Sequence, residues 1–153
     1  MLIELTSEQV SRDWPVIRFS IEKAMPVTAG PLSKTEYLNL LTQLLNGNMK
    51  CLVLAHRNTA TKKVEIFGVV VCSVSVEPAT TARFLHIYSF ASLVDSIPVS
   101  AWKTNFQQLK EYARANACEW IEAISENTGL VHLAASLGAN TAAKYVRFGM
   151  EEA

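Results

Sequence analysis

The chain has 153 residues, 50% of them hydrophobic and 18% charged, which supplies enough apolar matter for a real core and excludes a disordered chain. Fourteen basic side chains balance fourteen acidic ones, so no global field draws the chain to nucleic acid or to an anionic membrane. Cys51, Cys72 and Cys118 lie far apart and form no CxxC or Cys/His cluster, a usage that fits reduced, buried thiols of an intracellular protein better than a disulfide framework or a zinc site. The longest apolar run, residues 66–76, is too short to cross a bilayer and is broken by Gly68, Ser73 and Ser75. The first eight residues show no basic stretch followed by an apolar one, so no signal peptide is expected and the compartment reads as cytoplasmic.

In chain order, Val10, Trp14, Ile17, Ile21 and Ala24 recur at steps of three and four and mark one apolar helical face. Pro15 falls inside it, so a short turn over residues 7–12 and a main helix capped near Asp13 are expected. Pro26 and the Gly30-Pro31 pair end this element. Ser33-Lys-Thr-Glu36 is a capping box, followed by Tyr37, Leu41, Leu44 and Leu45 at helical spacing, with Gly47 as a stop. The pattern then turns to strands. Residues 50–56 form a short apolar run, residues 64–77 are dense in β-branched side chains, and residues 84–93 make a third strand. Their closeness in sequence predicts an antiparallel meander.

Ser100 can cap a third helix, in which Trp102, Phe106, Leu109, Ala113 and Ala117 lie on one face. A strand over residues 118–124 arrives directly after that helix, which predicts a parallel crossover onto residues 84–93. Asn127 or Thr128 can start a last helix that stops at Gly138, and residues 143–150 read as a final strand. No repeat or linker is visible, so one domain over residues 1–153 is expected.

This order of helices, meander, helix, strand, helix and strand resembles the GNAT acyltransferase fold, an α/β (α+β) architecture with a mixed central sheet. Leu2-Ile-Glu-Leu5 could supply its first strand. In that family the phosphates of acetyl-CoA sit at the start of the helix after the meander, on a glycine-rich loop that carries an arginine or glutamine. The matching stretch, residues 89–102, has no glycine and no arginine; it carries Asp95, whose charge opposes a pyrophosphate, and Pro98, which removes an amide donor. A narrower resemblance, to GNAT-like proteins of bacteriophages, rests on Asp13-Trp-Pro-Val16, Glu22-Lys-Ala24, Leu45-Asn-Gly-Asn48, Glu111-Tyr-Ala-Arg114 and Ala135-Ser-Leu-Gly138. Some proteins of that kind sit among virion genes.

Two expectations follow from the resemblance. The first is a non-catalytic module with no cofactor, in contact with protein partners that include other virion components, incorporated into a particle assembled in the cytoplasm. The alternative is an acetyl-CoA-dependent N-acetyltransferase with a divergent loop. In that alternative Ser89, Phe90, Ala91, Ser92 and Leu93 offer backbone groups to the pantetheine arm, and the helix start at Ser100 takes phosphate. Fold alone does not choose between them.

The residues that could carry chemistry each have a plainer reading. Tyr145 could donate a proton to a departing thiolate if it ends a helix, as Tyr145-Val-Arg-Phe-Gly149 suggests; aligning Gly138-Ala139 at that position instead makes Tyr145 a strand residue. Glu65, Glu119 and Glu122 could serve as bases, although carboxylates on strands are usually solvated. His56, His86 and His132 fall in different elements, which argues against a metal site. Cys118 at a strand start reads as core rather than nucleophile. Trp14 and Trp102 fall on apolar faces, and Trp102 is expected to fill the space between the third helix and the meander, where it would block CoA.

Overall fold

A computed structural model describes residues 1–26, 29–95 and 97–150. In chain order it contains β1 (Leu2–Glu4), α1 (Ser7–Ala24), α2 (Lys34–Leu45), β2 (Lys50–Arg57), β3 (Val64–Val76), β4 (Arg83–Ser92), α3 (Val99–Ala115), β5 (Trp120–Ala123) and α4 (Thr128–Ser136). The strands form one five-stranded sheet in the order β1-β2-β3-β4-β5. β1 to β4 pair antiparallel with their neighbours, and β5 joins β4 in parallel after the α3 crossover.

The sheet is covered on both faces, which is why the middle of β3 reads as an unbroken apolar run instead of an alternation. One face carries Leu52, Leu54, Phe67, Val70, Cys72, Leu85 and Ile87 under Leu109 and Ala113 of α3. The other carries Cys51, Val53, Val69 and Val71 under Val10, Ile17 and Ile21 of α1 and Tyr37 and Leu44 of α2. Phe67 is the largest of the fully buried side chains among the described residues.

Local chemistry explains where the elements begin. The Ser33 hydroxyl accepts the Glu36 amide at 3.2 Å while the Glu36 carboxylate accepts the Ser33 amide at 2.8 Å, so the expected capping box forms. α1 differs from expectation. Thr6 and Gln9 build a second capping box, which starts the helix at Ser7 rather than near Asp13. Pro15 then lies inside a continuous helix; the loss of one donor is outweighed by the burial of Val10, Ile17 and Ile21 on either side of it. α3 also starts differently. Pro98 takes the N-cap position with no side-chain hydrogen bond, which places Ser100 in the first turn and not at the cap.

The largest departure is at the end of the chain. The Asn127 side chain accepts the Leu130 amide at 3.1 Å and starts α4, but α4 buries none of its residues. Residues 143–150 form no strand. A strand needs a neighbour to bond with, and β5 has none on its outer side among the described residues. No helix among the described residues is long and apolar enough to cross a membrane.

Candidate functional site

The site grows from one irregularity in β4. Leu85, Ile87 and Phe90 all pack toward α3, so the inward interval lengthens from two to three residues. Val71 faces Ser89 and Cys72 faces Ile87, which leaves Tyr88 as the extra residue of a β-bulge. Tyr88 turns to the α1/α2 side. The parallel pairing with β5 ends at the same place, Ile87 against Ala123 being its last register pair. β4 runs on to Ser92 with β3 on one side and, among the described residues, no strand on the other. The backbone of residues 88–92 thus has an unpaired outer side among the described residues, although the Ser92 carbonyl already accepts the Lys23 ammonium at 2.7 Å and the Leu93 amide donates to the Phe67 carbonyl at 2.7 Å.

That edge leads into α3. Its first turn bonds through Ala101 and Trp102, whose amides reach the Pro98 carbonyl at 3.0 and 3.3 Å. Val99 and Ser100 precede those bonds, are exposed, and carry amides of the kind that helix N-termini leave for anions. Asp95 is exposed in the connecting loop, and Ser96 of the same stretch lies outside the described residues. Trp102 packs edge-on to Phe67 at 5.5 Å and tilted against Phe90 at 5.3 Å. Both partners belong to β3 and β4, so the ring packs between the helix and the meander, as its place on the apolar face led one to expect.

Polar groups line the bulge. Ser89 is 5% exposed, and its hydroxyl oxygen has no hydrogen-bond partner among the described residues. Burial pushes the Tyr88 phenol upward, with smaller contributions from Tyr37 and Glu36. On the strand before the bulge, His86 Nδ1 lies 3.6 Å from Glu122 Oε1 of β5. Glu122 also accepts the Trp120 indole N–H at 3.3 Å, and the Trp120 ring stacks on Phe84 at 5.1 Å with a 7° interplanar angle. Alternation puts Phe84, His86 and Tyr88 on one face of β4.

The remaining candidates disperse. His56 is 3.6 Å from Glu65 across the β2–β3 hairpin and 5.7 Å from the Phe67 ring, which places that pair apart from His86. His132 is exposed on α4, and among the described residues no three His, Cys, Asp or Glu groups gather in a way that could hold a metal. Glu119 is exposed before β5, and its amide bonds to the Arg83 carbonyl at 2.7 Å. Cys118 is buried and its thiol is pushed upward by that burial, as expected of a core residue. Tyr145 is exposed and belongs to neither a helix nor a strand. The residues that sequence reasoning left apart are His86 and Glu122; their pairing depends on the parallel register, but the shift from Ile87 to Phe90 in the inward series was a visible signal for the bulge.

No protein-family model matches the sequence, and no curated protein matches it. Solved structures do. One named as a probable acetyltransferase superposes with a TM-score of 0.68 at 12% identity, covering 100% of this chain and 98% of its own. An aminoglycoside acetyltransferase, meta-AAC0020, from an uncultured soil metagenomic sample reaches 0.68 at 14% identity, covering 100% and 96%. The ribosomal-protein-alanine N-acetyltransferase of Brucella melitensis biovar Abortus 2308 reaches 0.63 at 13% identity, covering 97% and 99%. The chain has the GNAT acetyltransferase fold. The GNAT neighbours named here span nearly their whole lengths and bear the names of acetyltransferases, and this overturns the expectation of a non-catalytic, virion-associated module.

Proposed function

We propose that this GNAT-fold chain is an acyl-CoA-dependent N-acyltransferase, with acetyl-CoA as donor and an amine as acceptor. The observation that carries the reading is the β4 edge at residues 88–92, which begins at the bulge and has no strand on its outer side among the described residues. A pantetheine arm holds two amides in an extended chain, so it can bond to such an edge as an added strand does. In this reading Ser89, Phe90, Ala91, Ser92 and Leu93 hold the arm, and the buried Ser89 hydroxyl supplies a further polar contact. The phosphates lie at the Val99 and Ser100 amides, where the helix dipole favours negative charge.

Transfer forms a C–N bond as the amine lone pair adds to the thioester carbonyl carbon. The C–S bond then breaks, and the sulfur leaves as a thiolate that takes up a proton. The amine must also lose a proton, and in this reading His86, two residues before the bulge and 3.6 Å from Glu122, accepts it. The phosphate end fits less well, since Asp95 repels an anion and Pro98 offers no N–H.

Calorimetric titration with acetyl-CoA and with free CoA tests the reading. Saturable binding at micromolar concentrations is expected, and Asp95→Arg should tighten it by removing repulsion and adding attraction. No binding up to millimolar concentrations of either compound would overturn it.

A further inference from the structure

The hairpin between β2 and β3 outruns its neighbour β4. β3 pairs with β4 from Gly68, opposite Ser92, while its pairing with β2 continues out to Val64 against Arg57. Residues 64–67 therefore project past the last β4 register pair, by about 13 Å at the usual rise of a strand. The tip is a built turn. The Asn58 amide donates to the Lys63 carbonyl at 2.9 Å and the Lys62 amide to the Asn58 carbonyl at 2.8 Å. The Asn58 side-chain oxygen accepts the amides of Ala60 and Thr61 at 2.9 and 3.2 Å.

Arg57, Lys62 and Lys63 stand exposed on this turn, and none of them forms an ion pair among the described residues. Glu65, the one acid of the hairpin, is already engaged: it lies 3.6 Å from His56 Nε2 and accepts the Asn58 side-chain amide at 3.1 Å. Clustered cations without a neutralising acid attract anions. The tip also stands at the end of the sheet where α3 begins. The His56 ring lies 5.7 Å from that of Phe67, and Phe67 lies 5.5 Å from Trp102 near the start of α3. The other charges at this end are Lys23, committed to the Ser92 carbonyl at 2.7 Å, Lys103, exposed beside Trp102 in the sequence, and Asp95 in the loop before α3.

We propose that Arg57, Lys62 and Lys63 of the β2–β3 hairpin bind the 3′-phosphate of the acyl-CoA, an inference that rests on the acyl-CoA reading above. An arm laid along residues 88–92 points toward the start of α3, so the adenosine end continues past the end of β4, the side on which the hairpin projects. The 3′-phosphate is a monoester with nearly two negative charges at neutral pH and three acceptor oxygens, which suits a cluster of cations. The hairpin thus brings positive charge to an end of the molecule where the loop before α3 brings Asp95.

Calorimetric titration with CoA and with 3′-dephospho-CoA, which lacks only that phosphate, tests this. The wild-type chain should bind CoA about 10-fold more tightly, the sum of a few exposed ion pairs. K62Q/K63Q should lose most of that preference and keep the wild-type affinity for 3′-dephospho-CoA, and R57Q should act in the same direction. All three positions are exposed, so the substitutions leave the core intact. Added salt should narrow the wild-type preference. Equal wild-type binding of the two compounds would overturn the proposal and leave the acyl-CoA reading standing, as would a K62Q/K63Q chain that keeps the full preference. Binding of neither compound would overturn both together.

Discussion

His86 and Trp102 sit on opposite sides of β4 and answer to different demands. His86 is half-buried, held at 3.6 Å by a carboxylate that a second strand delivers. If it takes the amine proton, His86→Gln should lower kcat by about 100-fold while leaving the KM for acetyl-CoA nearly unchanged. Glu122→Gln should lower kcat by less, since it orients the ring without touching the substrate. Steady-state kinetics with a panel of amines measures both, and an equal rise in KM for acetyl-CoA would show that the residue binds donor instead. Trp102 is a packing residue. Trp102→Ala should cost about 3 kcal/mol, the low end of the range for a large aromatic because the ring is only partly buried, as read from denaturant unfolding. Its core position was legible in the helical spacing, whereas its two aromatic partners, Phe67 and Phe90, were not, because they depend on which strands it meets.

Among the elements, the ones that announced themselves are those whose ends are written in side chains. The Ser33–Glu36 box and the Asn127 cap stand in the sequence as they stand in the structure. Ser33→Ala should destabilise by about 1 kcal/mol, a loss that thermal unfolding detects. The start of α1 was harder to place, since Pro15 argued for a break that burial of the flanking apolar residues overrides. The start of α3 misled for the opposite reason: Ser100 has the chemistry of a cap, but Pro98, with its fixed φ, ends the loop first. Residues 143–150 show the deepest limit. Their alternation is that of a strand, yet a strand is a relation between two segments, and no pattern within one of them supplies the other.

For the molecule as a whole, two of its three buried thiols set a pH limit. Burial pushes Cys51 and Cys72 up to about 12, while an exposed thiol titrates near 9.0. The unfolded chain therefore loses these protons at a lower pH than the folded one does. The stability involved is fully present below about pH 9 and is lost as pH rises toward about 12. Melting temperatures should fall across that interval, with a shallower slope in a Cys51→Ala/Cys72→Ala variant; equal slopes would assign the loss to other groups. The meander and its crossover were legible at this scale because turn residues bound short apolar runs. The open β4 edge was not, because it is defined by the point at which β5 stops.

The lack of any buried residue in α4 has a thermodynamic corollary. Backbone hydrogen bonds that no core protects open cheaply, so the amides of α4 should exchange with deuterated solvent far sooner than those of β2 and β3. Exchange over residues 128–136 should be complete while the central strands still retain their protons, giving one chain a fast end and a slow middle.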